Sequence, residues 1–359
     1  MTTTSSSSWT DRAFRRLRLL AGPAALLAAT SGTCAQYVGA PGRIIWWGNT
    51  QAAPANMAPP PGVYTTLAVN SSHGLALRPD GTMVGWGANF FGQSTPQPGV
   101  YTQVAAGLDH SVALRSDGVA VSWGRNLFGE ATTPPGTFVQ ISAGYSSSAG
   151  VRPDGSIHVW GGLGGTPVPP GTYRFVHVGG GGYIGAIRTD GTLVTWGPSL
   201  PVIPGEFMSA HFNCISVALR TDGTAVTFGY AQCNPQNYPA PPGTFIQLSQ
   251  SSGGGFAALR DDGVIVPWGP HHPSVFNVPS GRFSLVAMGP EFGYAIQPCY
   301  ANCDNSTSGS LLTANDFQCF LNKFAAGDTY ANCDGSTGTP SLTANDFQCF
   351  LNRFAEGCQ

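Results

Sequence analysis

A Trp-Gly pair, once Phe-Gly, recurs at Trp47, Trp86, Trp123, Trp160, Trp196, Phe228 and Trp268, at intervals of 39, 37, 37, 36, 32 and 40 residues. Nothing else in the chain limits its fold so tightly. A unit of this length cannot bury its apolar face alone, so neighbouring units must stack on one another. About six residues before each of the last six pairs lies an Asp-Gly turn, at Asp80, Asp117, Asp154, Asp190, Asp222 and Asp262. Two residues earlier stands an arginine each time: Arg78, Arg115, Arg152, Arg188, Arg220 and Arg260. The clearest unit reads Phe138-Val-Gln-Ile-Ser-Ala-Gly, Ala149-Gly-Val-Arg-Pro-Asp-Gly and Ser156-Ile-His-Val-Trp-Gly. Short alternating apolar runs bounded by Gly and Pro predict strands. The Asp-Gly pair, with positive φ angles, predicts a tight hairpin. Each unit should therefore supply about three strands and a Pro-rich connection.

The ends of the array decide its shape. The last unit, Phe283-Ser-Leu-Val-Ala-Met-Gly to Tyr294-Ala-Ile, lacks the Asp-Gly turn and the Trp-Gly strand. The missing strand stands at the other end, as Ile44-Ile-Trp-Trp-Gly48. If it completes the last unit, residues 36–298 close into an all-β, seven-bladed propeller with no open sheet edge.

Units such as Val104-Ala-Ala-Gly-Leu-Asp-His-Ser-Val-Ala-Leu-Arg-Ser-Asp-Gly-Val-Ala-Val-Ser-Trp-Gly124 resemble the regulator of chromosome condensation repeat. Their length is similar to the three-stranded repeats of β-lactamase inhibitor protein II. The Asn-x-x-Gly-Gln tail of that repeat stands here as Asn89-Phe-Phe-Gly-Gln93, and loosely as Asn126-Leu-Phe-Gly-Glu130. The resemblance implies the propeller fold and partner binding through exposed loops.

Charged residues make up only 9% of the chain, with 16 Lys and Arg against 18 Asp and Glu. There is no basic excess to displace counterions, which argues against nucleic acid as a partner. The propeller holds 10 Arg and 11 acids, and 12 of these charges belong to the repeated Arg-x-Asp-Gly turn. The remainder is Arg43, Arg125, Arg174, Arg282, Asp109, Glu130, Glu206, Asp261 and Glu291, mostly scattered over different blades. Acid–base catalysis needs titratable groups held together, so a non-catalytic protein is expected. His73 and His110 occupy the same place in consecutive units, which favours blade-to-blade packing or a hydrogen bond over a metal site. Gly179–Gly182 and Gly253–Gly255 lack the Lys-Ser/Thr and helix of a phosphate loop, and are expected at close-packed inner-strand starts. Cys214 and Cys233, the only propeller cysteines, are expected on successive blades and joined by a disulfide. Phe90, Phe91, Phe128, Tyr230, Tyr238, His271 and Phe276 lie in interblade loops, where rigid aromatics give contact area at small entropic cost. The competing reading is that they cover the blade ends.

Residues 1–35 read as a secretory signal: Arg12, Arg15, Arg16 and Arg18, an apolar stretch from Leu19 to Ala29, then Thr33-Cys34-Ala35. About eleven apolar residues are too few to span a bilayer. Cleavage after Ala35 leaves eight of nine cysteines, an even number suited to disulfides in an oxidising compartment. The expected location is outside the cytoplasm: extracellular, periplasmic or on the cell surface.

After Pro298 the chain holds two 30-residue copies, from Tyr300 and from Tyr330. Phe317, Phe320, Leu321 and Phe324 have the spacing of an amphipathic helix, repeated by Phe347, Phe350, Leu351 and Phe354. Each helix follows a loop of Asn, Asp, Ser, Gly and Thr, an oxygen-rich composition suited to Ca²⁺. The tandem loop–helix pair over 299–359 resembles a Cys-containing dockerin. The resemblance places Asn302, Asp304, Ser306, Thr313 and Asp316 at one calcium ion. It places Asn332, Asp334, Ser336, Thr343 and Asp346 at a second, with Thr313 and Thr343 acting through backbone carbonyls. The loops depart from a dockerin: Asp304 to Asp316 and Asp334 to Asp346 each span 12 residues rather than seven, and tyrosines hold the first position. The matching 16-residue spacings suggest Cys303–Cys319 and Cys333–Cys349, with Cys299 and Cys358 clasping the ends. Six cysteines allow 15 pairings. A metal-free loop held by the disulfides competes with the calcium reading.

The expectation is thus an exported binding protein whose propeller loops hold a protein or glycan, anchored through the tail to a cohesin-like receptor or the cell surface. Alternatives are an enzyme acting on extracellular polysaccharide and, least favoured, a guanine-nucleotide exchange factor.

Overall fold

The computed structural model describes residues 40–49, 56–70, 72–196, 200, 203–270, 273–298, 301, 303, 312–327, 331, 333 and 342–356. The signal-peptide segment and the proposed Cys299–Cys358 clasp lie outside these residues.

Seven antiparallel three-stranded sheets form the seven blades. Blades 1 to 6 span 66–87, 101–124, 140–161, 173–196, 207–229 and 247–268. Blade 7 takes two strands from 285–298 and its outer strand from Gly42–Gly48, paired Gly42 to Pro298 through Gly48 to Phe292. The first strand of every blade lies against the first strands of the blades before and after it, and the seventh against the first. The ring closes as the sequence predicts.

Each blade begins on an aromatic residue: Tyr64, Tyr101, Phe138, Tyr173, Phe207, Phe245 and Phe283, all buried. Truncating one such ring to alanine costs about 3–5 kcal/mol. Its backbone N–H donates to the turn glycine of the preceding blade, as Tyr101 to Gly81, Phe138 to Gly118 and Phe207 to Gly191 at 2.8–2.9 Å. At the closure, Tyr64 and Gly42 exchange both backbone bonds. Tyr64, Tyr101 and Tyr173 also donate their hydroxyls to Pro60, Pro98 and Pro169 carbonyls at 3.0, 3.1 and 2.6 Å. The Pro-rich connections therefore serve as acceptors for the blade they introduce.

The Arg-x-Asp-Gly turn differs from the expected one. Only its glycine has a positive φ, 78° at Gly81 and 82° at Gly155, while the aspartate stays in the ordinary region. The Gly81 N–H bonds to the Arg78 carbonyl at 2.9 Å, and the Arg78 N–H to the Thr82 carbonyl at 2.9 Å. This is a three-residue loop ending in a left-handed glycine, so one residue rather than two needs that conformation. Asp80 Oδ1 accepts from the Thr82 N–H at 2.9 Å and the Thr82 hydroxyl at 2.7 Å, and Asp154 treats Ser156 alike. Arg152, Arg188 and Arg220 lie over the blade-opening rings of Phe138, Tyr173 and Phe207 at 4.9, 6.0 and 5.7 Å. The repeated charges have structural work.

Two further expectations need correcting. Cys214 and Cys233 form their disulfide within blade 5, at its first bend and just past its last strand, not between successive blades. The short unit folds its tail back across its own end. Of the Gly179–Gly182 run, Gly181 and Gly182 turn the chain between two strands with φ 63° and 85°. Only Gly179 is close-packed, since a Cβ there would strike the Phe212 carbonyl.

In the tail, α1 (Ala314–Ala325) and α2 (Ala344–Glu356) meet through Phe320 and Phe350, stacked at 4.0 Å, flanked by Phe317 and Phe347. Cys303–Cys319 and Cys333–Cys349 are bonded.

Candidate functional site

The strand order fixes two faces. In each blade the inner strand ends, and the outer strand ends, on the face opposite the Asp-Gly turns. That loop face carries the most exposed aromatic side chains, while exposed valines such as Val119 and Val264 lie beside the Asp-Gly turns on the other face. Phe90 is 91% exposed and Phe91 53%, on the tail loop of blade 1; Leu127 is 72% and Phe128 58%, on that of blade 2. Lone exposed apolar residues are ordinary, but two matched pairs on consecutive blades form a patch.

Their loops are held from within. Asn89 Oδ1 accepts from the Ser94 N–H at 3.0 Å, and Gln93 Oε1 from the Phe91 N–H at 2.9 Å. In blade 2, Asn126 Oδ1 accepts from the Ala131 N–H at 3.0 Å, and Glu130 Oε2 from the Phe128 N–H at 2.6 Å. Gln93 and Glu130 are both buried, so the polar motif faces inward and the aromatics outward.

Beneath each loop runs a buried relay from the next blade. Ser111 donates its hydroxyl to the Gln93 carbonyl at 2.8 Å, so His73 must use Nε2–H to donate to Ser111 Oγ at 2.9 Å. His110 Nε2 meets Ser148 Oγ at 2.8 Å, and Ser148 donates to the Glu130 carbonyl at 3.4 Å. Burial pushes both imidazoles down to about 4, so they are neutral at ordinary pH. His73 and His110 thus perform the blade-to-blade bonding expected for them. Among the described residues no three metal-ligating side chains converge. Arg125, expected alone, lies between Asp109 at 3.6 Å and Glu130 at 4.0 Å, with its guanidinium 5.8 Å from the Phe128 ring. Two strands and their hairpin separate Asp109 from Arg125 in sequence, which hid this trio.

The other predicted loop residues divide. Phe276 is 44% exposed. Tyr230 is half-buried against blades 4 and 5 and Tyr238 against blades 5 and 6, both covering blade ends. His271 lies outside the described residues. In the tail, Thr313 caps α1: its hydroxyl accepts from the Asn315 N–H at 3.2 Å, while its N–H donates to Asp316 Oδ2 at 2.8 Å. Thr343 and Asp346 repeat this on α2. Asp316 and Asp346 are fully buried. Asn302, Asp304, Ser306, Asn332, Asp334 and Ser336 lie outside the described residues.

The inner strands enclose an axial cavity of about 280 Å³ with no Asp, Glu, Lys or Arg among its lining residues. Polar side chains there stitch neighbouring inner strands together. Gln140 clasps Val176, donating to its carbonyl at 3.0 Å and accepting its N–H at 2.9 Å; Gln103 and Gln247 do the same to Ile141 and Val286. Two residues on, Ser142 and Ser249 accept the N–H of Val178 and Met288. In blades 4 and 5 this position holds His177 and His211. The sequence reading passed over all of these, although each stands two or four residues after the blade-opening aromatic.

The regulator of chromosome condensation (RCC1) repeat matches residues 64–93 and 101–130, which are the two blades carrying the exposed pairs. No curated protein matches in sequence. Among solved structures, the chain is similar to yeast RCC1 (Prp20) bound to Kap60, with a TM-score of 0.57, 16% identity, and coverage of 85% of this chain and 98% of that one. Human WBSCR16 gives 0.56 at 16% identity over 71% of this chain and 98% of that one. The receptor kinase CR4 ectodomain of Physcomitrella patens gives 0.52 at 19%, covering 62% of this chain and 65% of that one. With the seven sheets in a ring, the fold is that of an RCC1-like repeat propeller.

Proposed function

We propose that the protein is an exported, non-catalytic binding protein whose propeller, residues 36–298, holds a protein partner on its loop face. One observation carries this reading: Phe90, Phe91, Leu127 and Phe128 stand exposed on loops whose backbones are pinned by Asn, Gln and Glu side chains. Rigid aromatics lose little entropy on contact and form the anchors of interfaces. The yeast neighbours are described in complex with Kap60 and for binding to Gsp1p and histones, so this type of ring serves protein partners there. The disulfides in blade 5 and in the tail suit an oxidising compartment. Among the described residues no helix is long and apolar enough to cross a membrane.

In this reading the tail, 299–359, is a dockerin-like anchor that binds calcium. The acidic residues Asp316 and Asp346, each in the first turn of a helix that follows an oxygen-rich loop, support it. Calcium there would tie the oxygen-rich loops to the helices.

The test is affinity capture from the source cell's envelope with the full chain and with Phe90→Ser/Phe128→Ser. A partner held by the first and lost by the second is expected; equal capture overturns the loop-face assignment. Calorimetry of the full chain with Ca²⁺, against Asp316→Asn/Asp346→Asn, is expected to show heat only for the parent. No heat in either leaves the disulfides as the tail's staples.

A further inference from the structure

His177 and His211 occupy one position on consecutive inner strands, four residues after Tyr173 and Phe207, near the loop-face end of the axial cavity. Their rings meet edge to face with centroids 4.8 Å apart. Serine is sufficient for the structural work at this position: Ser142 and Ser249 bond the next strand's N–H at 3.0 and 2.9 Å. His177 makes the same bond with Nδ1, accepting the Phe212 N–H at 3.2 Å. That acceptor role places its proton on Nε2. His211 instead donates Nε2–H to the Leu248 carbonyl at 3.0 Å, which leaves Nδ1 as a lone pair. Each histidine therefore has a ring nitrogen beyond what joins the blades. One is a donor and the other an acceptor, on two adjoining rings.

The surroundings limit what can use them. The lining offers no charge to balance a charged ligand, and burial holds both imidazoles neutral, His211 at about 4 and His177 well below its usual value. A divalent metal would need the Nε2 lone pair of His177, and freeing it would protonate Nδ1 against the Phe212 N–H. An apolar ligand would leave the donor unanswered. Vicinal hydroxyls answer both nitrogens, since each hydroxyl donates and accepts, and Phe175 and Tyr145 in the lining offer flat apolar surface to the carbons of a ring. We propose that the loop-face end of the axial cavity is a binding site for a neutral sugar, recognised through vicinal hydroxyls by Nε2–H of His177 and Nδ1 of His211. The site is separate from the exposed aromatic loops, and its failure would leave the loop-face reading untouched.

The test follows the side-chain nitrogen resonances of the ¹⁵N-labelled full chain while adding D-glucose, D-galactose, D-mannose, N-acetyl-D-glucosamine, cellobiose, D-glucuronate or Zn²⁺. At least one neutral sugar is expected to move the His177 and His211 signals with a Kd below about 10 mM. His177→Ser keeps the bond to Phe212, so it should melt with the parent and bind that sugar at least about tenfold more weakly. Tighter binding of cellobiose than glucose would mark the end of a longer glycan as the ligand, and equal binding a free sugar. No response to any neutral sugar, undiminished binding by His177→Ser, or a response confined to Zn²⁺ or glucuronate overturns the proposal.

Discussion

Blades 1 and 2 and blades 4 and 5 have the same three strands, yet place their histidines at different radii. In blades 1 and 2 the imidazoles open the second strand and support loops that turn aromatics outward. In blades 4 and 5 they lie on the inner strand and face the axis, while Tyr183 and Tyr230 fold together over the blade ends with rings 5.9 Å apart. A repeat fold asks only that each blade be bonded to the next. How it is bonded is open, so one arc of the ring can display side chains outward and another inward without altering the backbone.

Acidification should strain both arcs and gives the largest effect. The histidines titrate at about 6.5 unfolded, but His73, His110 and His211 at about 4 folded. Between those values the unfolded chain binds more protons, so stability is complete above about pH 6.5 and declines as the pH falls toward 4. The loss is at most about 3 kcal/mol per imidazole, measured by urea denaturation at several pH values. His73→Gln/His110→Gln keeps an N–H for each serine and should flatten the slope; an unchanged slope would mean that the outer relays do not carry it. Next comes the staple special to blade 5. Cys214→Ser/Cys233→Ser closes no loop and should cost about 3 kcal/mol for a 19-residue separation, with hydrogen exchange rising first around Tyr230. Gln140→Leu strips Val176 of two bonds and should cost about 1–3 kcal/mol. A neutral result in thermal melts would show that the apolar inner strands alone hold blades 3 and 4 together. Smallest of all, Phe90→Ser/Phe128→Ser should shift stability by less than about 0.5 kcal/mol while abolishing partner capture, because both rings are mostly exposed and Phe128 keeps only a cation–π contact with Arg125.

The ring was legible because its signals repeat: seven Trp/Phe-Gly strands, six turns, and one strand displaced from the last unit to the first. Tail pairings Cys303–Cys319 and Cys333–Cys349 were legible for the same reason, since two copies vouch for one another. The Cys214 placement was not, because the fifth unit is short and its register ambiguous. Nor were His177 and His211, whose spacing from Tyr173 and Phe207 identifies them only once the inner strand is known to face the axis. Arg125 with Asp109 and Glu130 shows a further limit. Neither periodicity nor composition reports which ends of antiparallel strands meet.

The displaced strand has a mechanical consequence. Residues Phe292–Pro298 form the middle strand of blade 7, held on one side by Gly42–Gly48 and on the other by Leu285–Met288. That strand runs from the loop face to the opposite face, and the tail continues from its far end. A load between a partner on the loop face and an attachment on the tail would therefore pull along the strand. Such a load shears two ladders of hydrogen bonds together instead of peeling one bond at a time, and it draws on the very seam where the ring is closed.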